Sequence, residues 1–378
     1  MMKRNHALLA ACLCAALFVL SACSAALPSA PSASPEPTAS PAPTADASAY
    51  SKYSIAYFDT FDTVITFSGY ARTQEEFDAA AALLHERYLE LHRLFDNYTP
   101  YEGVNNVYVL NQRAASEPVA VDPQLFDLLT LCKEQQPALH GQVNIALGSV
   151  LEIWHTYREA GLNDPENAQL PPMDALLEAN SHTNFDDVVL DAQSMTVAYA
   201  DPALKLDLGA VAKGYATELV AQELIASGFT SFVISAGGNI RTGSAPMDGR
   251  TAWGVGIQNP DLSSADELSE VLYLSNLSVV TSGNYQRYYV VDGKIYHHLI
   301  DPDTLMPSDY FPSVTIITED SGLADLISTA LFLMPYEEGR AFVDSLEDVE
   351  ALWIFEDGSM EMTEGLQKYA KSKGATSR

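Results

Sequence analysis

Phe77, Ala81, Leu84, Tyr88, Leu91 and Phe95 recur at alternating steps of four and three, which lays one apolar stripe along a helix of about five turns. A stripe that long needs a broad apolar surface to cover it. Thr73, with Glu76 three residues on, marks the helix start as a capping box. The rest of the chain offers mainly short strands: two around Thr60 within residues 53–67, a hairpin of 188–190 with 196–199, and runs at 232–235, 253–257, 271–274, 314–318 and 352–355. Further helices are expected from Asp122-Pro123, where a cap precedes a proline at the first helical position, and at 148–158 and 321–333. This mixture implies an α+β fold, with mixed, largely antiparallel sheets and packed helices in a single domain of residues 51–370.

The N-terminus reads as an export signal. Lys3 and Arg4 precede an apolar run at 7–20, followed by Leu20-Ser21-Ala22-Cys23, the order of a lipoprotein signal peptide over residues 1–22. The run falls short of the roughly 20 apolar residues that span a bilayer. Cys23 is then the lipidated first residue of the mature chain, and residues 23–50, almost all Ala, Ser, Pro and Thr, form a disordered tether to the extracytoplasmic face of the cell membrane. Residues 371–378 read as a flexible tail. Cys132 is the one cysteine of the body, so no intramolecular disulfide is available, and it falls on an apolar helix face. With 50 acidic and 20 basic residues the net charge is −30, which excludes nucleic acid as a partner and repels anionic ligands at long range. A phosphate-bearing ligand would need a local device: a metal, a helix N-terminus or a buried lysine.

Four polar blocks offer such devices. In residues 278–307, Thr281-Ser282-Gly283-Asn284 reads as a hydroxyl-rich turn, and two strands joined at Asp292-Gly293 deliver His297 and His298 to opposite faces before Asp301-Pro302 stops them. Residues 207–214, Asp-Leu-Gly-Ala-Val-Ala-Lys-Gly, lead into a helix and set unpaired amides near Lys213, without the glycine spacing of a Walker loop or dinucleotide fingerprint. The block 235–239, Ser-Ala-Gly-Gly-Asn, follows a buried strand and reads equally as a tight turn. In 324–329, Asp325 and Thr329 share a helix face, a carboxylate beside a hydroxyl that suits Mg²⁺ or simply a solvated polar face.

In this order the four blocks resemble the ApbE family of flavin transferases, the FAD:protein FMN transferases, which are commonly periplasmic or surface lipoproteins. Residues 94–98, 101–106 and 143–148 resemble matching segments of one branch, so the likeness runs from about 60 to 333. It implies a transferase that binds FAD with Mg²⁺, cleaves the pyrophosphate, attaches FMN to a threonine or serine of an acceptor protein, and releases AMP. By motif position, Asp325, Thr329 and the carbonyl of Ala210 would hold the metal. Asp207 and Lys213 would contact FAD, Tyr98 would pack on its aromatic part, and Asn144, Ile145, Ala146 and Leu299 would line the site. Gly237, Gly238 and Asn239 would adjoin the bound FAD, with Thr281, Ser282 and Gly283 on its flavin side. His298 matches the family's catalytic residue, His297 is assigned to structure, and Asp301 supports the strand end. The acceptor would be a membrane or extracytoplasmic redox protein. A Mg²⁺-dependent FAD pyrophosphatase and a non-catalytic flavin-binding lipoprotein share these features; a structural lipoprotein would leave the polar blocks without a cause. Thr376, in a Ser-Lys-Gly-Ala-Thr end, faintly resembles an acceptor motif. Two positions depart from the family pattern: Phe61-Asp62-Thr63 stands for Met-Gly-Thr, and Leu305 replaces the glycine that usually follows the histidine segment, so a turn of different shape is expected there.

Overall fold

In the computed structural model, which describes residues 49–378, the long helix forms at Gln74–Phe95 and buries its stripe, with Phe77, Leu84, Tyr88 and Leu91 nearly inaccessible. Thr73 caps it by accepting from the Glu76 N–H (3.2 Å), and the Glu76 carboxylate reaches back to the Arg72 N–H (2.9 Å). The surface it covers is an eight-stranded sheet whose spatial order follows the chain: Ser51–Thr60, Thr63–Ala71, Phe232–Ala236, Asn239–Thr242, Ser278–Gly283, Ser313–Thr318, Glu350–Ile354 and Met360–Met362. Every neighbouring pair is antiparallel. Helices and hairpins are insertions between these strands.

Side-chain alternation sends each strand's residues to two different cores. On one face Phe67, Ile234, Val280, Val314 and Ile316 pack with the helices Gln74–Phe95, Ala212–Ala226 and Ser321–Phe332. On the other, Val279, Ile317, Leu352 and Ile354 meet the Trp253–Gln258 and Leu268–Leu274 hairpin. Ser313–Thr318 is covered on both sides and all six of its residues are buried. A smaller cluster of Trp154, Tyr289, Ile300 and Leu305 joins helix Gly148–Asn163 to the hairpin Tyr288–Val291 and Lys294–His297. Each large apolar side chain buried this way contributes about 1.5–3 kcal/mol.

Several expectations are corrected. Thr281, Ser282 and Gly283 are the last residues of a central strand, not a turn, because Val279 and Val280 on either face of the sheet hold the segment extended. Helices at Val107–Arg113, Met173–Asn180 and Tyr336–Asp344 were not expected, being only seven, eight and nine residues long. Residues 371–378 are anchored: Ser372 hydrogen-bonds the buried Glu270 carboxylate, and the Thr251 N–H donates to the Ser377 carbonyl (2.8 Å). Tyr50, read as tether, lies under the Arg72 guanidinium. Cys132 is buried in the core, its thiol pushed up to about 12 by desolvation. Cys23, the signal and residues up to 48 lie outside the described residues, among which no helix is long and apolar enough to cross a membrane.

The two family departures keep a backbone that glycine would adopt freely. Asp62 (φ 48°) and Leu305 (φ 60°) are left-handed, as is Phe61 (φ 53°). Leu305 is held there by burying its side chain and by its carbonyl, which accepts from Trp154 Nε1 (2.9 Å).

Helices Ala212–Ala226 and Ser321–Phe332 cross at Gly214. A Cβ at Gly214 would fall on the Ser321 carbonyl oxygen and 2.5 Å from Asp325 Cβ. Gly214→Ala is therefore expected to force the helices apart and lower stability by about 1–3 kcal/mol, read as a lower urea midpoint at unchanged slope; an unchanged midpoint would show that the contact is soft.

Candidate active site

The Gly214 N–H donates to Asp325 Oδ2 (2.8 Å). Gly214 is the third residue of a helix that begins at Ala212, so its amide is one of the donors that a helix start leaves without an intrahelical acceptor. The Ala210 oxygen, just before that helix, has no backbone donor among the described residues. Asp325 is 5% exposed, and desolvation raises its pKa above the ordinary carboxylate range, opposed by Lys213, the Gly214 amide and Asn239. The Asn239 amide nitrogen is buried without a hydrogen-bond partner. Thr329 lies one turn along from Asp325, its Oγ1 3.5 Å from Ser282 Oγ. Ser282 in turn bonds Ser328 Oγ (2.9 Å), which ties the strand end to the helix. Carboxylate, hydroxyl and spare carbonyl are all hard oxygen ligands, the set that suits Mg²⁺. Among the described residues no cluster of three or more His, Cys, Asp or Glu side chains could hold a metal, so a softer, all-protein site is not on offer.

Across the cleft, Asp292 (φ 50°) and Gly293 (φ 79°) make the hairpin turn as the sequence indicates. His298 follows the last strand residue, His297, and its N–H and Nδ1 both meet the Arg287 carbonyl (3.1 and 3.3 Å). Its pKa is lowered to about 3, first by desolvation and then by Arg287, His297, Lys213 and Arg158. The imidazole is therefore neutral at physiological pH. His297 is buried, donating from Nε2 to the Ser308 carbonyl (2.6 Å) and accepting at Nδ1 from Leu299 N–H (3.2 Å). Asp301 accepts from Asp303 N–H (2.8 Å) and Thr304 Oγ1 (3.1 Å), closing its own turn.

These elements enclose a cleft of about 1080 Å³, at or above the upper end of the roughly 300–1,000 Å³ of small-molecule pockets. Tyr98, Asn144, Ile145, Asp207, Ala210 and Lys213 line it, as do Gly237, Gly238, Asn239, Thr281, Ser282 and Gly283, with His298, Leu299, Asp325 and Thr329. Ala146 does not: it is fully buried behind the wall, its N–H donating to Asn144 Oδ1 (2.9 Å). Asp207 accepts from Gly209 N–H (2.7 Å) within its own loop and from Asn97 Nδ2 (3.1 Å) beyond the end of the long helix. Gly237 takes φ 65°, and a Cβ on Gly238 would lie 2.6 Å from the Thr281 carbonyl, so the turn needs both glycines. Thr376 is not part of the lining; its hydroxyl bonds the Arg378 carbonyl.

Sequence reading passed over two cations of the cleft, Arg158 and Arg287. Arg287 lies within the quoted 278–307 block, and Arg158 ends the expected helix at 148–158. Their signal was charge of the minority sign in an acidic chain. Tyr98, 54% exposed, faces the ring of His155 (5.0 Å between centroids), whose Nδ1 accepts from Arg158 (2.8 Å).

Cations gathered around a neutral imidazole, opposite hard oxygen ligands, are what a phosphoanhydride needs from a protein that processes it. The scaffold around them has known counterparts. Residues 60–353 match the ApbE family. An FAD:protein FMN transferase of Treponema pallidum (strain Nichols) is 35% identical over 270 residues, covering 68% of this chain and 72% of the relative. Another, of Klebsiella pneumoniae (strain 342), is 32% identical over 263 residues, 69% of this chain and 78% of the relative. The crystal structure of the ApbE protein of Thermotoga maritima matches with a TM-score of 0.73 at 29% identity, over 84% of this chain and 99% of that one. The chain belongs to the ApbE family.

Because burial raises the Asp325 pKa, its charged form works against folding at neutral pH. Asp325→Asn is thus expected to raise the melting temperature by about 2 °C in metal-free buffer at pH 7. The gain should vanish below about pH 3.9, where the carboxyl is protonated folded and unfolded alike. A lower melting temperature at pH 7 would mean that Lys213 and Gly214 overcompensate the burial.

Proposed function

We infer that this chain is a Mg²⁺-dependent FAD:protein FMN transferase. The observation that carries the reading is the convergence, in one cleft, of Asp325, Thr329 and the spare Ala210 carbonyl with neutral His298 and Lys213. The hydroxyl of an acceptor threonine or serine attacks the FMN phosphorus of FAD. The bond to the bridging oxygen breaks, and AMP leaves with that oxygen. His298 takes the hydroxyl proton, since a neutral imidazole can accept where a protonated one cannot. Lys213 and the arginines offset charge on the diphosphate, against the repulsion of an acidic protein. Asp325, Thr329 and Ala210 would hold Mg²⁺, which supplies Lewis-acid polarisation of the phosphoryl oxygens. Asp207 keeps the turn before Ala210 in shape, and Tyr98 offers an exposed ring for the aromatic part of FAD. Lipidation at Cys23 would hold the enzyme at the extracytoplasmic membrane face, within reach of a redox protein as acceptor; this rests on the signal and tether pattern of residues 1–50.

The test is an incubation of mature protein with FAD, Mg²⁺ and a candidate acceptor, followed by AMP analysis and a denaturing gel viewed for flavin fluorescence. Fluorescent acceptor with AMP is expected. AMP with free FMN would favour a hydrolase, and neither product would leave a binding protein. His298→Gln should cut transfer about 10²–10⁴-fold with FAD binding retained. Because His298 is depressed to about 3, kcat/KM should stay flat through pH 6.5, the ordinary histidine value; an acid limb there that disappears in His298→Gln would contradict that environment.

A further inference from the structure

Arg287 stands opposite His298 at the mouth of the hairpin, and its main chain and side chain do different things. Its carbonyl can only accept, so the Nδ1 contact at 3.3 Å requires the proton on Nδ1 and leaves Nε2 with the lone pair. Its guanidinium lines the cleft and has a single long bond, Nη2 to the Asp62 carbonyl at 3.3 Å. That carbonyl belongs to the turn where Phe61 and Asp62 are both left-handed. Phe61 N–H donates to His92 Nδ1 (3.3 Å), so the turn is pinned on its other side. Beyond desolvation, the groups that depress His298 are Arg287 just before the neighbouring strand, Lys213 and Arg158 from two helices, and His297 beside it; the carboxylates of Asp62, Asp96, Asp207 and Asp325 line the same cleft. A ring surrounded by positive charge is a poor base until an anion enters among those charges.

We propose that Arg287 is a positioning residue of flavin transfer: its carbonyl sets the His298 tautomer, and its guanidinium transfers from Asp62 to the diphosphate of the bound nucleotide, coupling occupancy to the basicity of His298. This rests on the transferase reading above. Diphosphate nucleotides are thereby favoured over uncharged flavins at the step of proton transfer, not only at binding.

The test uses the mature protein with ¹⁵N-labelled histidine, and ADP, which carries the diphosphate but no flavin to transfer, with and without Mg²⁺. The His298 ring shifts are expected to report Nδ1–H and an unprotonated Nε2, and ADP to raise the titration midpoint by about one pH unit or more. Arg287→Gln keeps the main-chain carbonyl, so the tautomer should persist. Its midpoint without ADP should rise, the ADP-induced rise should shrink, and ADP affinity should fall about tenfold. An Nε2–H tautomer in the wild type, or unchanged ADP affinity and midpoint in Arg287→Gln, would overturn the proposal. A protein that passes these tests and transfers no FMN would refute the transferase reading and leave standing only the tautomer control and the diphosphate contact of Arg287.

Discussion

The close crossing of two helices at Gly214 is the constraint on which the site depends. Without a side chain there, the Ser321–Phe332 helix comes near enough for Asp325 to take the Gly214 amide. That bond satisfies a donor of the helix start and fixes a carboxylate in a buried place on the cleft that Ala210 also lines. A buried ion pair reinforces the crossing. Arg241 Nε donates to Glu218 Oε2 (2.9 Å), which also accepts from Ser321 N–H (3.0 Å). Both residues are buried, so this pair locks a strand and the two helices in one arrangement; removing one partner would cost about 3–5 kcal/mol.

The electrostatics of the cleft oppose those of the molecule. In a chain with net charge −30, Lys213, Arg158 and Arg287 are gathered around one cleft, which suits a dianionic linkage. The same cations, with desolvation, hold His298 neutral. Binding and proton transfer are thus linked: the charge that attracts the diphosphate also suppresses the base until the diphosphate arrives. Asp325 carries the complementary burden, a buried carboxylate that weakens the fold and that, under the proposed function, would gain its use from a cation.

Much of this was legible in the chain because local rules carried it. The Thr73 cap, the Asp292-Gly293 turn and the stripe from Phe77 to Phe95 are short-range patterns, and each formed where its residues stood. Residues of all four polar blocks line one cleft, and only the fold brings residues 98, 207, 298 and 325 together. What escaped was decided by tertiary context. Thr281 to Gly283 looked like a turn by composition and became strand because Val279 and Val280 just before it are anchored in the cores on the two faces of the sheet and its backbone pairs with residues 313–315. The C-terminal residues lacked any pattern, yet Glu270 offered them a buried acceptor. Ala146 resembled a lining residue and instead sits behind Asn144. The Gly214–Asp325 bond could not be derived from sequence spacing, since it joins residues 111 positions apart.

The metal position tests the account most directly. Crystals of the mature protein grown with FAD and Mn²⁺ in place of Mg²⁺ allow the ion to be located by anomalous scattering. A single peak bounded by the Asp325 carboxylate, the Thr329 hydroxyl and the Ala210 carbonyl, with the FAD diphosphate completing its shell, is the predicted result. FAD bound in the cleft with the ion held elsewhere, or with no ion at those oxygens, would contradict it.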